Sequence, residues 1–383
     1  MNRTLHIVAF NIPWPADYGG VIDIYCKLKA LHDCGINIIL HCFEYGRPRA
    51  AELERVCGEV HYYRRRTGIR SNITRLPYNV YSRKDPALIN NLLKNDYPIL
   101  FEGLHSCYCL KDVRLKNRFK IFRECNIEHD YYREIALAES NLIRKWFHRI
   151  ESKRFERYQK NAACADLIIA VSRTDADYLR RTFPDRRVAF VPCFHGNSRI
   201  TALPGQSDFL LYHGKLSVKE NEKAALYLIE NVFGKLSCRC IVAGMHPSGV
   251  LEKAAARYPN ITLEASPSPA RISELIRNAQ VNVLVTFQGT GLKLKLLNSL
   301  FAGRHVAVNS LMLTGSGLEP VCHVADTPEQ MIHLCRELMN RPFSPDELHA
   351  REACLLPVFS DAYQAGKLVE MIFRQRSPES FTR

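Results

Sequence analysis

The chain has 383 residues, 46% of them hydrophobic and 24% charged, with a formal net charge of +14. That length allows two domains of ordinary size, and the composition excludes a disordered or fibrous protein. No run approaches the roughly 20 continuous apolar residues of a membrane-spanning helix, and the sequence has no low-complexity tract or solenoid-length repeat.

LHIVAF (5–10) is six residues long and is followed by NIPWP. It makes a poor signal peptide and a good first strand, so the mature protein is expected in the cytosol. The turn PWPADYGG then leads into an amphipathic stretch, VIDIYCKLKALHDCG. Gly19 and Gly20 would let the backbone approach a ligand closely at the start of that helix; a plain turn is the competing reading.

NIILHCF, YPILFEG, FKIFREC, DLIIAVS and RVAFVP follow as strands of the first half. Between Glu59 and Asp85 lie seven basic residues and no acidic one, and residues 1–195 hold 33 Lys and Arg against 22 Asp and Glu. Such a field attracts nucleic acid, an anionic membrane surface or a phosphorylated substrate; a solvated basic surface is the plainer alternative. FEGLHS puts Glu102 and His105 at one strand end, and ECNIEHDYYRE gathers Cys125, Asn126, Glu128 and His129 at the next. His129 is a candidate base or acceptor-binding group because imidazole titrates near neutrality. Equally, Asn126 caps the following helix and His129 is exposed on its first turn.

PCFHGNSRITALPGQS (192–207) has no period and is rich in turn residues, so it reads as the linker. The second half repeats the opening pattern: DFLLYHG, a loop with Lys215, then NEKAALYLIENVF. CRCIVAG, ITLEA, VNVLVTF and HVAVN supply further strands, and a last helix around AYQAGKLVEMIFRQ follows a breaker at Pro357. Strands apolar on both faces and alternating with helices indicate buried parallel sheets, hence an α/β protein of two Rossmann-like domains facing each other across a cleft. The fourteen cysteines have no zinc-site spacing and are expected to be free thiols.

Straight after VNVLVTFQ comes GTGLKLKLLNSLFAGRH (289–305). On a helix, Leu292, Leu294, Leu296, Leu297, Leu300 and Phe301 cover a wide apolar arc, leaving Lys295, Asn298 and Ser299 on a narrow stripe. A Gly turn, a helix N-terminus and Lys293 favour a phosphate there. A buried helix with incidental lysines is less economical, because a buried lysine needs a partner.

In order, PADYGG, NIEHDYY, DLIIAVSRTDADYL, YHGKLSVKENEKAALYLIENVF and GTGLKLKLLNSLFAGRHV resemble the GT-B-fold glycosyltransferases, specifically the retaining family-4 group (glycosyl transferases group 1). The last run is the most specific, being similar to the family's Gly-Gly-Gly-x-Arg-x-Lys-x-x-Glu motif ending in Ala-x-Gly. The resemblance implies an N-terminal acceptor domain (1–195), with a C-terminal helix at about 358–383 packed back on it. Residues 196–357 would form the nucleotide-sugar domain. It implies a hexosyltransferase that retains anomeric configuration, with a UDP- or GDP-sugar donor and a glycan or lipid-linked acceptor, and that needs no metal or other cofactor. Gly19, Gly20, Lys215, Thr290, Gly291, Lys293, Lys295 and Asn298 would bind donor. His129, Glu102 and Cys125 are the catalytic candidates; His105, Asn126 and Glu128 are the acceptor candidates.

Three positions depart from the family pattern. Asn298 stands where a Glu binds the ribose hydroxyls, Cys125 where a His is common, and Glu220 where a second basic residue falls, with Lys219 beside it. These departures motivate an alternative: a catalytically degenerate sugar-nucleotide-binding partner protein of the same fold. Polysaccharide synthesis at the inner face of the membrane, with the basic first domain on anionic lipid, is the expected setting. Nucleic acid is not an expected partner, since the basic stretches lack a recognisable binding module.

Overall fold

The computed structural model describes residues 3–288 and 294–374. The chain divides into two compact units, one reaching Gly196 and including the C-terminal segment from Gln364, the other spanning Asn197–Tyr363.

The first unit holds a seven-stranded parallel sheet. Its strands are β1 (Thr4–Val8), β2 (Asn37–Glu44), β3 (Glu59–Arg64), β4 (Ile99–Glu102), β5 (Lys120–Glu124), β6 (Leu167–Ala170) and β7 (Arg187–Phe190), in the order β3-β2-β1-β4-β5-β6-β7. Leu5, Ile7 and Leu40 belong to the core on one face, and Val8, Phe43 and Phe101 to that on the other. Burial on both faces is why these strands read as continuous apolar runs. The second unit has a six-stranded parallel sheet: β8 (Phe209–His213), β9 (Arg239–Gly244), β10 (Ile261–Ala265), β11 (Val281–Leu284), β12 (His305–Val308) and β13 (His323–Val324). Their order is β10-β9-β8-β11-β12-β13. In each sheet the order reverses beside the unit's first strand, between β1 and β4 and between β8 and β11. The crevice beyond the carboxyl ends at such a point is where open α/β sheets bind ligands.

The helix Asp361–Phe373 begins in the second unit, and Ala365, Leu368 and Ile372 from its later turns sit in the core of the first. Pro357 is not the breaker. It lies inside the helix Pro345–Phe359, near its end, and the chain leaves helical geometry at Ser360. A proline this close to a C-terminus disturbs only the final turn. All fourteen cysteines are free. No helix among the described residues is long and apolar enough to cross a membrane.

A chain of hydrogen bonds crosses the first sheet. His6 Nε2 meets Asn95 Oδ1 at 2.7 Å, His6 Nδ1 meets His41 Nε2 at 2.8 Å, and His41 Nδ1 meets the Tyr63 hydroxyl at 2.7 Å. Because Asn95 Oδ1 only accepts, His6 must donate from Nε2. His41 then donates to His6, and Tyr63, which accepts from Asn91 Nδ2, donates to His41. This pattern needs both imidazoles neutral. Burial above all pushes His6 down to about 4, against the pull of Asn95. Burial, then the neighbouring His6 and His61, holds His41 well below its ordinary value. The unfolded chain takes up these protons near pH 6.5 and the folded chain does not, so stability must fall as pH drops from about 6.5 towards 4. The His6 depression alone corresponds to roughly 3 kcal/mol at the acid end of that window. Urea midpoints measured from pH 7 to 4.5 check this, and a midpoint that rises on acidification would contradict it.

Candidate functional site

At the carboxyl end of the first sheet, four charged side chains meet in the interior. Asp23 and Lys27 come from the helix Gly19–Asp33, Glu102 from the end of β4 and Arg123 from β5. Lys27 Nζ lies 2.7 Å from Glu102 Oε1, and Arg123 Nη1 lies 3.5 Å from Glu102 Oε2. Arg123 also grips Asp23 with both terminal nitrogens and donates to the Pro192 carbonyl at 3.2 Å, while Asp23 accepts from the Phe194 amide at 2.8 Å. Burial works against the Asp23 carboxylate, but Arg123 and Lys27 outweigh it and hold its pKa below the ordinary value. Two negative and two positive charges thus cancel, and they tie one helix, two strands and the segment leaving β7 together. Glu102 was expected to face a substrate from its strand end. It is instead fully buried, a counter-ion and not a free base.

Cys125, just past β5, lies 3.9 Å from Arg123 Nη1. Burial pushes its thiol well up, Arg123 only partly offsetting this, so it is a neutral thiol at physiological pH. The neighbouring end of β5 is richer than expected. His105 Nε2 is 3.4 Å from the buried Glu128 carboxylate. Glu124 is fully buried, and burial together with Glu128 and Asp175 drives its pKa well up. The Asn126 amide and the Gln159 side chain contact it. Glu124 was not among the candidates. Asn126 does not cap the following helix; Ile127 occupies that position. His129 is likewise not exposed, being only 6% accessible. Burial lowers its pKa although Asp130, 3.7 Å away, opposes this, and its carbonyl accepts from Ser152 Oγ at 2.7 Å.

Gly19 and Gly20 open the Gly19–Asp33 helix, which has no side-chain cap and no acidic residue in its first turn. A Cβ on Gly20 would sit 2.9 Å from the Phe10 ring. The requirement for glycine there comes at least partly from packing.

In the second unit, the β8–β11 switch point collects the polar stripe of the helix Leu294–Ala302. Lys295 Nζ donates to Asn221 Oδ1 at 3.1 Å and lies 5.1 Å over the Tyr212 ring. Asn221, on the first turns of the helix Lys219–Asn231, also donates to the Lys215 carbonyl at 3.1 Å and accepts from the Tyr212 hydroxyl through its own carbonyl. Buried Ser299 is 3.0 Å from His213 Nε2; burial, then Lys295, pushes that imidazole down to about 3. Asn298 Oδ1 accepts from Asn197 Nδ2 at 3.0 Å. Glu220, in the position of the expected second basic residue, receives the Thr286 hydroxyl. Gly244 permits this crowding, since a Cβ there would lie 1.8 Å from the Gly214 carbonyl oxygen.

The structure therefore links the Lys215 backbone to Lys295 through Asn221 and sets Ser299 on His213, while Asn298 pairs with Asn197; Asn221, Tyr212, His213 and Asn197 were not singled out. Thr290, Gly291 and Lys293 lie outside the described residues. Two groups among the described residues have donor atoms suited to a cation: Asp23, Glu102 and Cys125, and His305, His323 and Glu347. Each already holds a basic side chain. Lys27 and Arg123 serve the first, and Arg341 lies 3.0 Å from Glu347 Oε1 and 3.3 Å from His323 Nε2 in the second.

Two parallel sheets with switch points beside β1 and β8 define the fold class: this is the GT-B fold of glycosyltransferases. Three similarities can be given. Sucrose-phosphate synthase from Thermosynechococcus elongatus superposes with a TM-score of 0.68 at 15% identity, covering 98% of this chain and 100% of that one. An α,α-trehalose-phosphate synthase (UDP-forming) from Burkholderia xenovorans, in complex with glucose-6-phosphate, gives 0.64 at 11% identity, covering 97% and 100%. By sequence, the chain is 24% identical over 329 residues to an uncharacterized 44.6 kDa protein in the cps region of Klebsiella pneumoniae, covering 81% of this chain and 84% of that protein. No family model matches the sequence.

Proposed function

We propose that the protein is a glycosyltransferase of the retaining, family-4-like kind. It would move a hexose from a UDP- or GDP-sugar to a glycan or lipid-linked acceptor without a metal. The observation that carries this reading is the arrangement at the β8–β11 switch point. Lys295 is clamped by Asn221 and Tyr212, and Lys215 lies on the adjoining turn, its carbonyl held by the same Asn221. In this reading Lys295, with Lys215 and Lys293, meets the diphosphate, and the charge that develops on the departing nucleoside diphosphate is balanced by lysine. Asn298 contributes its amide at the ribose end, where Thr290 and Gly291 adjoin the sugar. For the first unit the reading rests on the family resemblance alone, which makes Gly19 and Gly20, at an uncapped helix N-terminus, further donor-phosphate candidates and His105, Asn126, Glu128 and His129 the acceptor candidates. The place of the Klebsiella pneumoniae relative in a cps region supports surface-polysaccharide synthesis.

Thermal unfolding with a panel of UDP-, GDP-, dTDP- and ADP-sugars tests donor binding. The matching donor at 100-fold excess over its dissociation constant should stabilise the fold by about 2.7 kcal/mol; no shift with any of them would overturn the reading. The degenerate alternative has its own support, in that Glu102 is wholly ion-paired and Cys125 is a neutral thiol. Donor binding without release of nucleoside diphosphate, even with acceptors supplied, would favour it.

A further inference from the structure

The helices Glu128–Ala138 and Leu142–Gln159 form a hairpin in the first unit. Its tip is the least ordinary surface of the described chain. Leu137 is 69% exposed, Leu142 and Ile143 79% each, and Trp146 67%. A soluble surface scatters such residues singly, whereas four within ten positions form a patch that needs an explanation. The reason is not a weak helix. Asn141 caps the second helix by accepting from the amides of Ile143 and Arg144, and the buried Phe155 and Tyr158 anchor it further along. The tip is a well-formed structure that ends in unburied apolar side chains.

The same face changes character along the second helix. Leu142, Trp146, Arg149, Lys153 and Arg157 follow one another at three- and four-residue steps and so share one side. By helical rise, Arg149 lies about 4.5 Å and Lys153 about 10 Å beyond Trp146 along the axis. Arg149, Lys153 and Arg157 are all exposed, as are Arg144 and Lys160. Residues 141–160 contain seven basic residues against two acidic ones, and one of those two, Glu151, is buried, with Arg154 and the Tyr78 amide as partners. A further exposed apolar residue, Ile73 at 78%, stands next to Asn72, whose carbonyl accepts from Arg154 of this helix at 3.0 Å. That contact holds the basic segment between Glu59 and Asp85 against this helix.

We propose that this hairpin tip docks the protein on an anionic lipid bilayer. Leu137, Leu142, Ile143 and Trp146 enter the headgroup–acyl boundary, and Arg149, Lys153 and Arg157 sit at the level of the lipid phosphates. An apolar wedge with an interfacial tryptophan, followed at headgroup spacing by a basic stripe, is the chemistry of interfacial binding. The basic stripe selects a negatively charged surface over a neutral one. A second protein surface would be matched less well, because exposed Arg and Lys outnumber the acidic residues, Glu139 and Glu156, around the wedge. The proposal does not depend on the reaction assigned above, since vesicle binding and donor binding are read separately.

The test is flotation of the full chain with phosphatidylcholine vesicles, with and without a quarter of phosphatidylglycerol. The wild type should float with the anionic vesicles and be released by high salt. The triple variant Leu142→Ser, Ile143→Ser, Trp146→Ser should bind about tenfold more weakly or worse, and the pair Arg149→Glu, Lys153→Glu should lose the preference for anionic lipid by about the same factor. Because every one of these side chains is exposed, both variants should melt at the wild-type temperature. A melting curve run alongside separates lost docking from lost folding. Trp146 emission should shift to the blue on binding, a signal absent from Trp146→Phe. Wild type that fails to float, or a triple variant that floats as well as wild type, would overturn the proposal. So would self-association that depends on these residues without vesicle binding, which would assign the patch to a second copy.

Discussion

Arg123→Ala is expected to lose about 3–5 kcal/mol of folding stability, the usual consequence of removing one partner from a buried ion cluster. The guanidinium is fully buried and faces Asp23 and Glu102 while also donating to the Pro192 carbonyl. Without it, Asp23 and Glu102 share the single charge of Lys27 in a water-excluded site. The helix Gly19–Asp33 and the segment at Phe194 lose their common anchor. Lys27→Met should be damaging for the same reason, leaving Glu102 with only the longer Arg123 contact. Urea unfolding measures both, and a loss below about 1 kcal/mol for Arg123→Ala would show that the network is not a structural anchor.

Lys295→Met is expected to weaken nucleotide-sugar binding by about 10–100-fold, the worth of a charge-assisted contact to phosphate. Its effect on folding should be small. The side chain is half-buried, methionine matches its length, and the remaining contacts of Asn221, with the Lys215 carbonyl and the Tyr212 hydroxyl, do not depend on Lys295. Asn221→Ala is a useful companion, since it would leave the ammonium in place but unclamped. Titration with the donor identified by thermal shift gives the comparison. Unchanged affinity in Lys295→Met would reduce Lys295 to a packing role.

Much of this architecture is legible in the chain because a doubly covered parallel sheet writes itself as short apolar runs. LHIVAF, NIILHCF and VNVLVTF each fall on an observed strand, within one residue or so at the ends of β1 and β2. The two strands that escaped notice are both at sheet edges. β3, with the sequence EVHYYR, is polar and aromatic and was absorbed into a basic run, and β13 is two residues long. Edge strands are covered on fewer sides and so lack the apolar signature. The helical phase of 294–302 correctly set Lys295, Asn298 and Ser299 apart from the leucines, because a 3.6-residue period is a local property. What these residues touch is not local. Asn221 and Tyr212 lie more than seventy positions from Lys295. Glu102 illustrates the same limit: its place at a strand end was visible, but its counter-ions Lys27 and Arg123 come from a different helix and a different strand. His129, in the first turn of its helix, looked exposed by local rules and is buried, with Ser152 of the following helix donating to its carbonyl.

The central claim is that the switch point beside β8 binds and activates a nucleotide sugar. Release of nucleoside diphosphate by the purified protein, measured across the donor panel with wild type and Lys295→Met side by side, tests it most directly. The account predicts turnover with one donor class and loss of that turnover in Lys295→Met at donor concentrations that saturate the wild type. Release that is equal in the two proteins, or absent with every donor, would contradict it.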